Sequence, residues 1–433
     1  MTTISLFKNR RAACTDAAER TVFPWPGIAA AVLLILASIF LSPYLNLLAL
    51  LICVVRIIRY GPAAFSTDYC ILAAASLLFQ WNGTMFLPYL CLFAALWFIS
   101  TEKLRLDMLA LLLVLQFTYL LVRMNSGYTN LVLCFSQLLL LRIILRGQSR
   151  QTAIILVKAF LAALLVTSIY ALVFRNTAQL AAVRGREVPA YWASSHLRFT
   201  GLFRDPNYYM SLLVAALALL ITLRLRGELG QAAFLAMGAC FTVFGLLTYS
   251  KTFLLLIVLV YIVYILLLFG RKRYLPALAI IAATGLVIWI ALQTEGSPLK
   301  IIVQRFTTAA TLDDLTTGRT ELHIRYWNAI MRTAPSFLFG YGLDAGYLGL
   351  GPHNLYLEIL YHLGLFGLLI FFGEILGFVR LMDAETSGIR RKRSVLTTYY
   401  PLLLTGILFF SLAGLFSTST YALIFLALVS MLI

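Results

Sequence analysis

The stretch Gly351-Pro352-His353-Asn354-Leu355-Tyr356-Leu357-Glu358 sets a titratable imidazole at the mouth of a long apolar segment that runs on through Gly364 and Gly367. An ionisable group at that depth marks function by default. Imidazole takes up or releases a proton near neutral pH, so from here it can act as a base towards a substrate whose tail stays in the bilayer. At about 100° per residue, His353, Leu357, Leu360, Gly364 and Gly367 fall within about 40° of one line if the helix is continuous. Small residues below the imidazole then admit a neighbouring helix or a lipid chain close to the backbone. Glu358 and His362 point elsewhere on such a helix. The alternative is that His353 is a polar cap at the interface and the glycines serve packing alone.

Three other groups carry candidate chemistry. In Arg198-Phe199-Thr200-Gly201-Leu202-Phe203-Arg204-Asp205-Pro206-Asn207, two guanidiniums can grip phosphate oxygens in fork geometry. Asp205 either neutralises Arg204 or caps a helix that begins at Pro206, and the cap is the more ordinary arrangement. Tyr249-Ser250-Lys251-Thr252 places a lysine between two apolar runs, either reaching for headgroups or binding an anionic ligand. Gly318-Arg319 opens a helix with His323 and then Trp327 one and two turns along the same face. An arginine there is either solvated or part of the same site.

These groups need a scaffold, and composition supplies its class. The chain is 62% apolar and 12% charged, with repeated apolar runs of spanning length. It reads as an all-α, polytopic membrane protein with about 12 to 14 transmembrane helices. The runs are Ile28–Phe40, Leu47–Ile58, Leu72–Phe79, Met85–Ser100, Met108–Val122, Leu131–Leu145, Ile154–Phe174, Tyr208–Leu223, Ala232–Tyr249, Thr252–Phe269, Leu275–Leu292, Leu355–Val379, Leu402–Leu415 and Tyr421–Ile433.

A net charge of +17 is compatible with nucleic acid, but the basic residues alternate by loop, which is the positive-inside pattern of a membrane protein. They concentrate at Lys8 to Arg20, Arg56/Arg59, Lys103/Arg105, Arg142 to Arg150, Arg224/Arg226, Arg271 to Arg273 and Arg380 to Arg393. Those loops are expected to be cytoplasmic, together with both termini, and no cleavable signal precedes the first run. Two long loops, 175–205 and 293–352, then face outward. In the second, a helix is expected from about Arg319 to Arg332, with Glu321 paired to Arg325 and Pro335 as a stop. The glycines from Gly340 to Gly351 are expected to turn. The six cysteines show neither a disulfide framework nor metal-ligand spacing.

All four groups lie on the outward side, so several cations surround one candidate base, which suits an anionic lipid headgroup. Within the apolar runs the ionisable residues are few: Glu358, Glu374 and, nearer the cytoplasmic end, Lys158. That is too sparse a chain for proton-coupled transport. No paired acidic motif suggests a metal-dependent transferase.

His353-Asn354, nine residues, then Gly364-Leu365-Phe366-Gly367 is similar to the H-N-x9-G-x-x-G signature of the O-antigen ligase and O-antigen polymerase superfamily. Arg198 to Asn207 resembles its R-F-x-G-L-F-x-D-P-N segment, Ser250-Lys251-Thr252 its S-R-G-like segment, and Gly318-Arg319 with Gly340-Tyr341-Gly342 its G-R and G-x-G stretch. Order and spacing agree over residues 198–371. The resemblance implies a bacterial inner-membrane glycosyltransferase, inverting and working without metal or other cofactor, that takes a polyprenyl-diphosphate-linked oligosaccharide as donor. Arg198 and Arg319 would hold the diphosphate, with Lys251 and Arg204 as further donor-binding cations. His353 would deprotonate or orient the acceptor hydroxyl of a glycan or lipid. Asn354, Asp205, Asn207, Gly364 and Gly367 would support the site.

Two positions depart from the pattern: lysine stands at 251 where arginine is more frequent, and histidine at 323 where an aromatic residue is common. The fourteen apolar runs exceed the dozen helices typical of the ligase branch, which leans towards a polymerase. The rival reading is a transporter or flippase of lipid-linked glycan, which needs a cationic cavity but no base.

Overall fold

A computed structural model describes residues 108–123, 150–177, 196–203, 205–309, 318–386, 395–411 and 418–433, with a few isolated positions besides. The runs expected within 28–100 and 131–145, the basic N-terminal stretch and Arg204 lie outside the described residues. Among the described residues the chain is helical, with no strand: α1 Met108–Val122, α2 Arg150–Val173, α3 Pro206–Leu225, α4 Gln231–Leu247, α5 Lys251–Gly270, α6 Tyr274–Gln293, α7 Pro298–Thr307, α8 Arg319–Ile330, α9 Ala334–Phe339, α10 Leu355–Thr386, α11 Val395–Leu408 and α12 Thr418–Leu432. Five segments are long and apolar enough to cross a membrane, namely Ala153–Val173, Pro206–Leu225, Lys251–Gly270, Tyr274–Gln293 and Leu355–Asp383. The protein is a polytopic helical membrane protein.

α3 is the axis of the bundle, packed by α2, α4, α5, α11 and α12. It is apolar on every side and is buried almost throughout its length. Its interior alanines, Ala215, Ala216 and Ala218, are all buried. Small residues at such positions let neighbouring backbones approach, which matters because lipid offers little hydrophobic drive for helix association. α6 is its opposite: Ala277 alone is buried there, leaving an apolar cylinder suited to lipid. Between α1 and α10, Gln116 donates an amide N–H to the buried Glu374 carboxylate at 2.9 Å, a polar pair that cross-links two helices.

Within the described residues the apolar runs become helices, most with ends moved by a few residues. The run from Leu402 instead starts at Val395, carrying Pro401 inside α11. The segment 293–352 also holds more helix than expected. α7 follows a Ser297 cap, and α9 begins with Pro335 in its first turn, so that proline starts a helix where it was expected only to stop one.

Candidate active site

The expected single face of His353, Leu357, Leu360, Gly364 and Gly367 does not exist, because the helix is discontinuous at both ends of that line. His353 precedes the helix, in the left-handed region at φ 47. Asn354 is the cap: its Oδ1 accepts the N–H of Tyr356 at 3.0 Å and of Leu357 at 3.2 Å, while Leu355 N donates to Phe409 O on the far side. Gly364 then breaks α10 with φ 66 and ψ −168, a conformation open essentially to glycine alone.

Breaking a spanning helix orphans carbonyls that must find partners inside the membrane. The loop around Gly340 and the end of α1 supply them. Tyr341 N donates to Tyr361 O at 2.8 Å, Gly342 N to His362 O at 2.9 Å, and the Tyr119 hydroxyl to Leu363 O at 2.5 Å. Arg123 donates to Gly340 O. Gly340 and Gly364 are in backbone contact: a Cβ on Gly340 would lie 2.5 Å from the His362 carbonyl carbon and 2.6 Å from Gly364 N. What the small residues admit is thus the backbone of the chain's own loop. Gly367 lies in the second half of the helix, below the break, against Leu363.

α8 holds the other side of the His353 segment. Gly318, at φ 77, precedes it, and Arg319 is its first residue. Its inward face runs through His323, Tyr326 and Ile330, with Tyr326 and Ile330 buried and Trp327 exposed, which corrects the expected Arg319, His323, Trp327 face. The Tyr326 hydroxyl donates to Leu350 O at 2.8 Å and accepts from Leu348 N at 3.0 Å. His323 Nε2 lies 2.8 Å from Pro352 O. A carbonyl only accepts, so His323 carries its proton on Nε2. Glu321 and Arg325 pair at 2.5 Å on the exposed side, as the spacing predicts. Tyr347 donates to Oε1 of the buried Glu358 at 2.7 Å, a third staple on the same segment.

Asp205 caps α3, accepting from Asn207 N at 2.6 Å, with Pro206 in the first turn. Arg198 Nε donates to Thr248 O at 2.8 Å, and its Nη2 reaches Asn207 Oδ1 at 3.4 Å. Ser250 caps α5 by accepting from Phe253 N, and Lys251 opens that helix with its ammonium 5.4 Å from the centre of the Phe306 ring. Sequence reasoning missed Arg305, whose Nη1 donates to Tyr249 O at 2.5 Å. The Ser297-Pro298 start of α7 was a readable signal, but nothing in the spacing foretold where that helix docks.

The electrostatics join these pieces. Burial pulls Arg198 down to about 10, helped by Arg305 and Arg319 and opposed by Asp205. Burial likewise lowers Arg319, against Asp205. Burial also pushes the His353 imidazole below its ordinary value; Arg319 and His323 act the same way, and Asp205 and Glu358 oppose them. His323 is lowered by burial and by Arg319, against the Pro352 carbonyl. The Tyr347 hydroxyl is raised by burial and by Glu358. Arg198, Asp205, Asn207, Arg319, His353 and Asn354 therefore form one cluster, with Lys251 at its edge and Gly364 and Gly367 as scaffold. It sets an imidazole whose charged form is disfavoured beside partly buried guanidiniums. Among the described residues no group of three His, Cys, Asp or Glu side chains could hold a metal ion.

Residues 232–372 match the model of the O-antigen ligase family, about a third of the chain. The match includes Lys251, Arg319, His353, Gly364 and Gly367, and begins after the Arg198 to Asn207 segment. It supports the O-antigen ligase and polymerase superfamily, whose membrane enzymes transfer glycans. No curated protein matches the chain, and no solved structure matches it.

Proposed function

Proceeding from an O-antigen ligase-type region at residues 232–372, we propose that the protein transfers a glycan from a polyprenyl-diphosphate-linked donor to an acceptor hydroxyl. The proposed site faces outward across a bacterial inner membrane, with both termini in the cytoplasm. The observation that carries this reading is the run of partly buried cations from Arg198 to Arg319 and on to His353, whose charged form burial and Arg319 disfavour. In the proposed step the acceptor oxygen attacks the anomeric carbon and inverts it. His353 takes the hydroxyl proton, and the C1–O bond breaks to release the lipid diphosphate. Cations already aimed at the diphosphate stabilise the charge that grows on it, with no reorganisation at the moment of reaction. A positioned base contributes typically about 10²–10⁴-fold more.

Polymerase and ligase share this chemistry and differ in acceptor. Purified protein in lipid, given a polyprenyl-diphosphate oligosaccharide as the only glycan, should produce a product ladder if it is a polymerase. Lipid diphosphate released only after a separate lipid or glycan acceptor is added identifies a ligase. Absence of turnover with every acceptor would contradict transfer and favour transport.

A further inference from the structure

Arg198 and Arg305 come from segments far apart in sequence, yet they hang on consecutive carbonyls. Arg198 Nε donates to Thr248 O at 2.8 Å and Arg305 Nη1 to Tyr249 O at 2.5 Å. The turn that offers both carbonyls is itself unusual, with Tyr249 at φ 51, a region aromatic residues seldom occupy. Lys251 lies two residues further on, its ammonium over Phe306, the neighbour of Arg305. Three segments thus deliver three cations to one turn between α4 and α5. Like charges held together, partly out of water, repel one another, and an anion seated between them relieves that repulsion. Asp205, the carboxylate that opposes them at Arg198, is engaged as the cap of α3.

Resting on the transfer reading above, we infer that Arg305 is a donor-binding residue that shares with Arg198 the phosphate next to the lipid, while Arg319 takes the phosphate next to the sugar. The base must sit by the anomeric carbon, so the sugar-side phosphate belongs nearest His353. Among the arginines, Arg319 is the one whose charge acts on that imidazole, whereas Arg305 acts on Arg198. Taken in the order in which their charges act on one another, Arg305, Arg198, Arg319 and His353 would receive the leaving group tail first and sugar last.

The test is a titration of the full-length protein in nanodiscs with a short-chain polyprenyl diphosphate and with the matching monophosphate. Arg305→Gln keeps an amide N–H for the Tyr249 carbonyl and removes the charge. It should lower diphosphate and monophosphate affinity alike, by about tenfold, because both ligands carry the phosphate next to the lipid. Arg305→Lys keeps the charge and should retain most of the affinity. Arg325→Gln, on the exposed side of α8, should change nothing. Unchanged diphosphate affinity in Arg305→Gln overturns the assignment, as does a loss in Arg305→Lys as deep as in the glutamine variant. A monophosphate affinity left unchanged by Arg305→Gln overturns the division of phosphates. A parent protein that binds no diphosphate at all sinks the transfer reading, and this assignment with it.

Discussion

Gly340→Ala and Gly364→Ala should each disable the protein, and the contact between the two residues gives the size of the effect. Gly340 has φ 69 and ψ −173, Gly364 φ 66 and ψ −168, a region that costs an L side chain about 1–3 kcal/mol. Each added methyl also meets backbone. On Gly364 it would fall 2.4 Å from Leu338 O, and on Gly340 2.5 Å from the His362 carbonyl carbon. Neither neighbour is the flexible end of a side chain, so one backbone must move, adding on the order of 1–3 kcal/mol. The total, roughly 2–6 kcal/mol, is a factor of about 30 to 10⁴ in the equilibrium. Because both changes break one contact, the double variant should lose much less than the sum. Gly346→Ala is the control: φ is 61, but nothing lies within 4 Å of the added methyl, leaving roughly 1–2 kcal/mol of backbone strain. Denaturation midpoints in mixed detergent micelles, read beside transfer activity, report the difference. If Gly364→Ala proves as mild as Gly346→Ala, the seating of the Gly340 loop in the helix break is wrong.

Replacing His323 with phenylalanine removes the donor to Pro352 O, worth about 1 kcal/mol or roughly fivefold, and should lower kcat while leaving donor affinity alone; His323→Gln, which can still donate, should recover most of it. A comparable loss in both variants would mean that ring packing, and not the hydrogen bond, is what matters. With His353 lowered from its ordinary value, the acid limb of kcat/KM should turn below about pH 6.5, and Arg319→Gln, whatever it costs in rate, should move that inflection upward. The sign for stability follows from the same shift. The folded state binds fewer protons at His353 and His323 than the unfolded state, so stability is held above the ordinary histidine value and is lost as pH falls through it; a denaturation midpoint that rises on acidification through pH 6 would contradict this. Arg198→Lys keeps the charge but gives up the fork that reaches both Thr248 O and Asn207 Oδ1, and should weaken donor binding by about tenfold.

The sequence carried the class of fold plainly, because spans of apolar residues and loop-by-loop alternation of Lys and Arg are written in composition. Local devices were equally readable. The Asp205-Pro206 cap, the Glu321–Arg325 pair and the start of α8 at Arg319 each depend on neighbours within one turn. The His353 helix was misread for a physical reason. Periodicity assumes an unbroken helix, and Gly364 leaves it only because Tyr341, Gly342 and Tyr119 are at hand to take the freed carbonyls. Those partners are remote in sequence. Arg305 was invisible for the same reason, since its place beside Arg198 is set by the docking of α7 on α4, α5 and α6. Histidine at 323 stood out as a departure from the family pattern, and the structure gives it a partner in Pro352 O.

In the proposed reaction His353 serves bond making and the arginines serve donor binding. The most direct measurement is release of polyprenyl diphosphate in a single turnover, with donor affinity measured in parallel, for the parent protein and His353→Ala in the same lipid. The variant should bind donor with near-parental affinity and release lipid diphosphate slower by about 10²-fold or more. Parental release by the variant, or loss of donor binding with the chemistry intact, would contradict it.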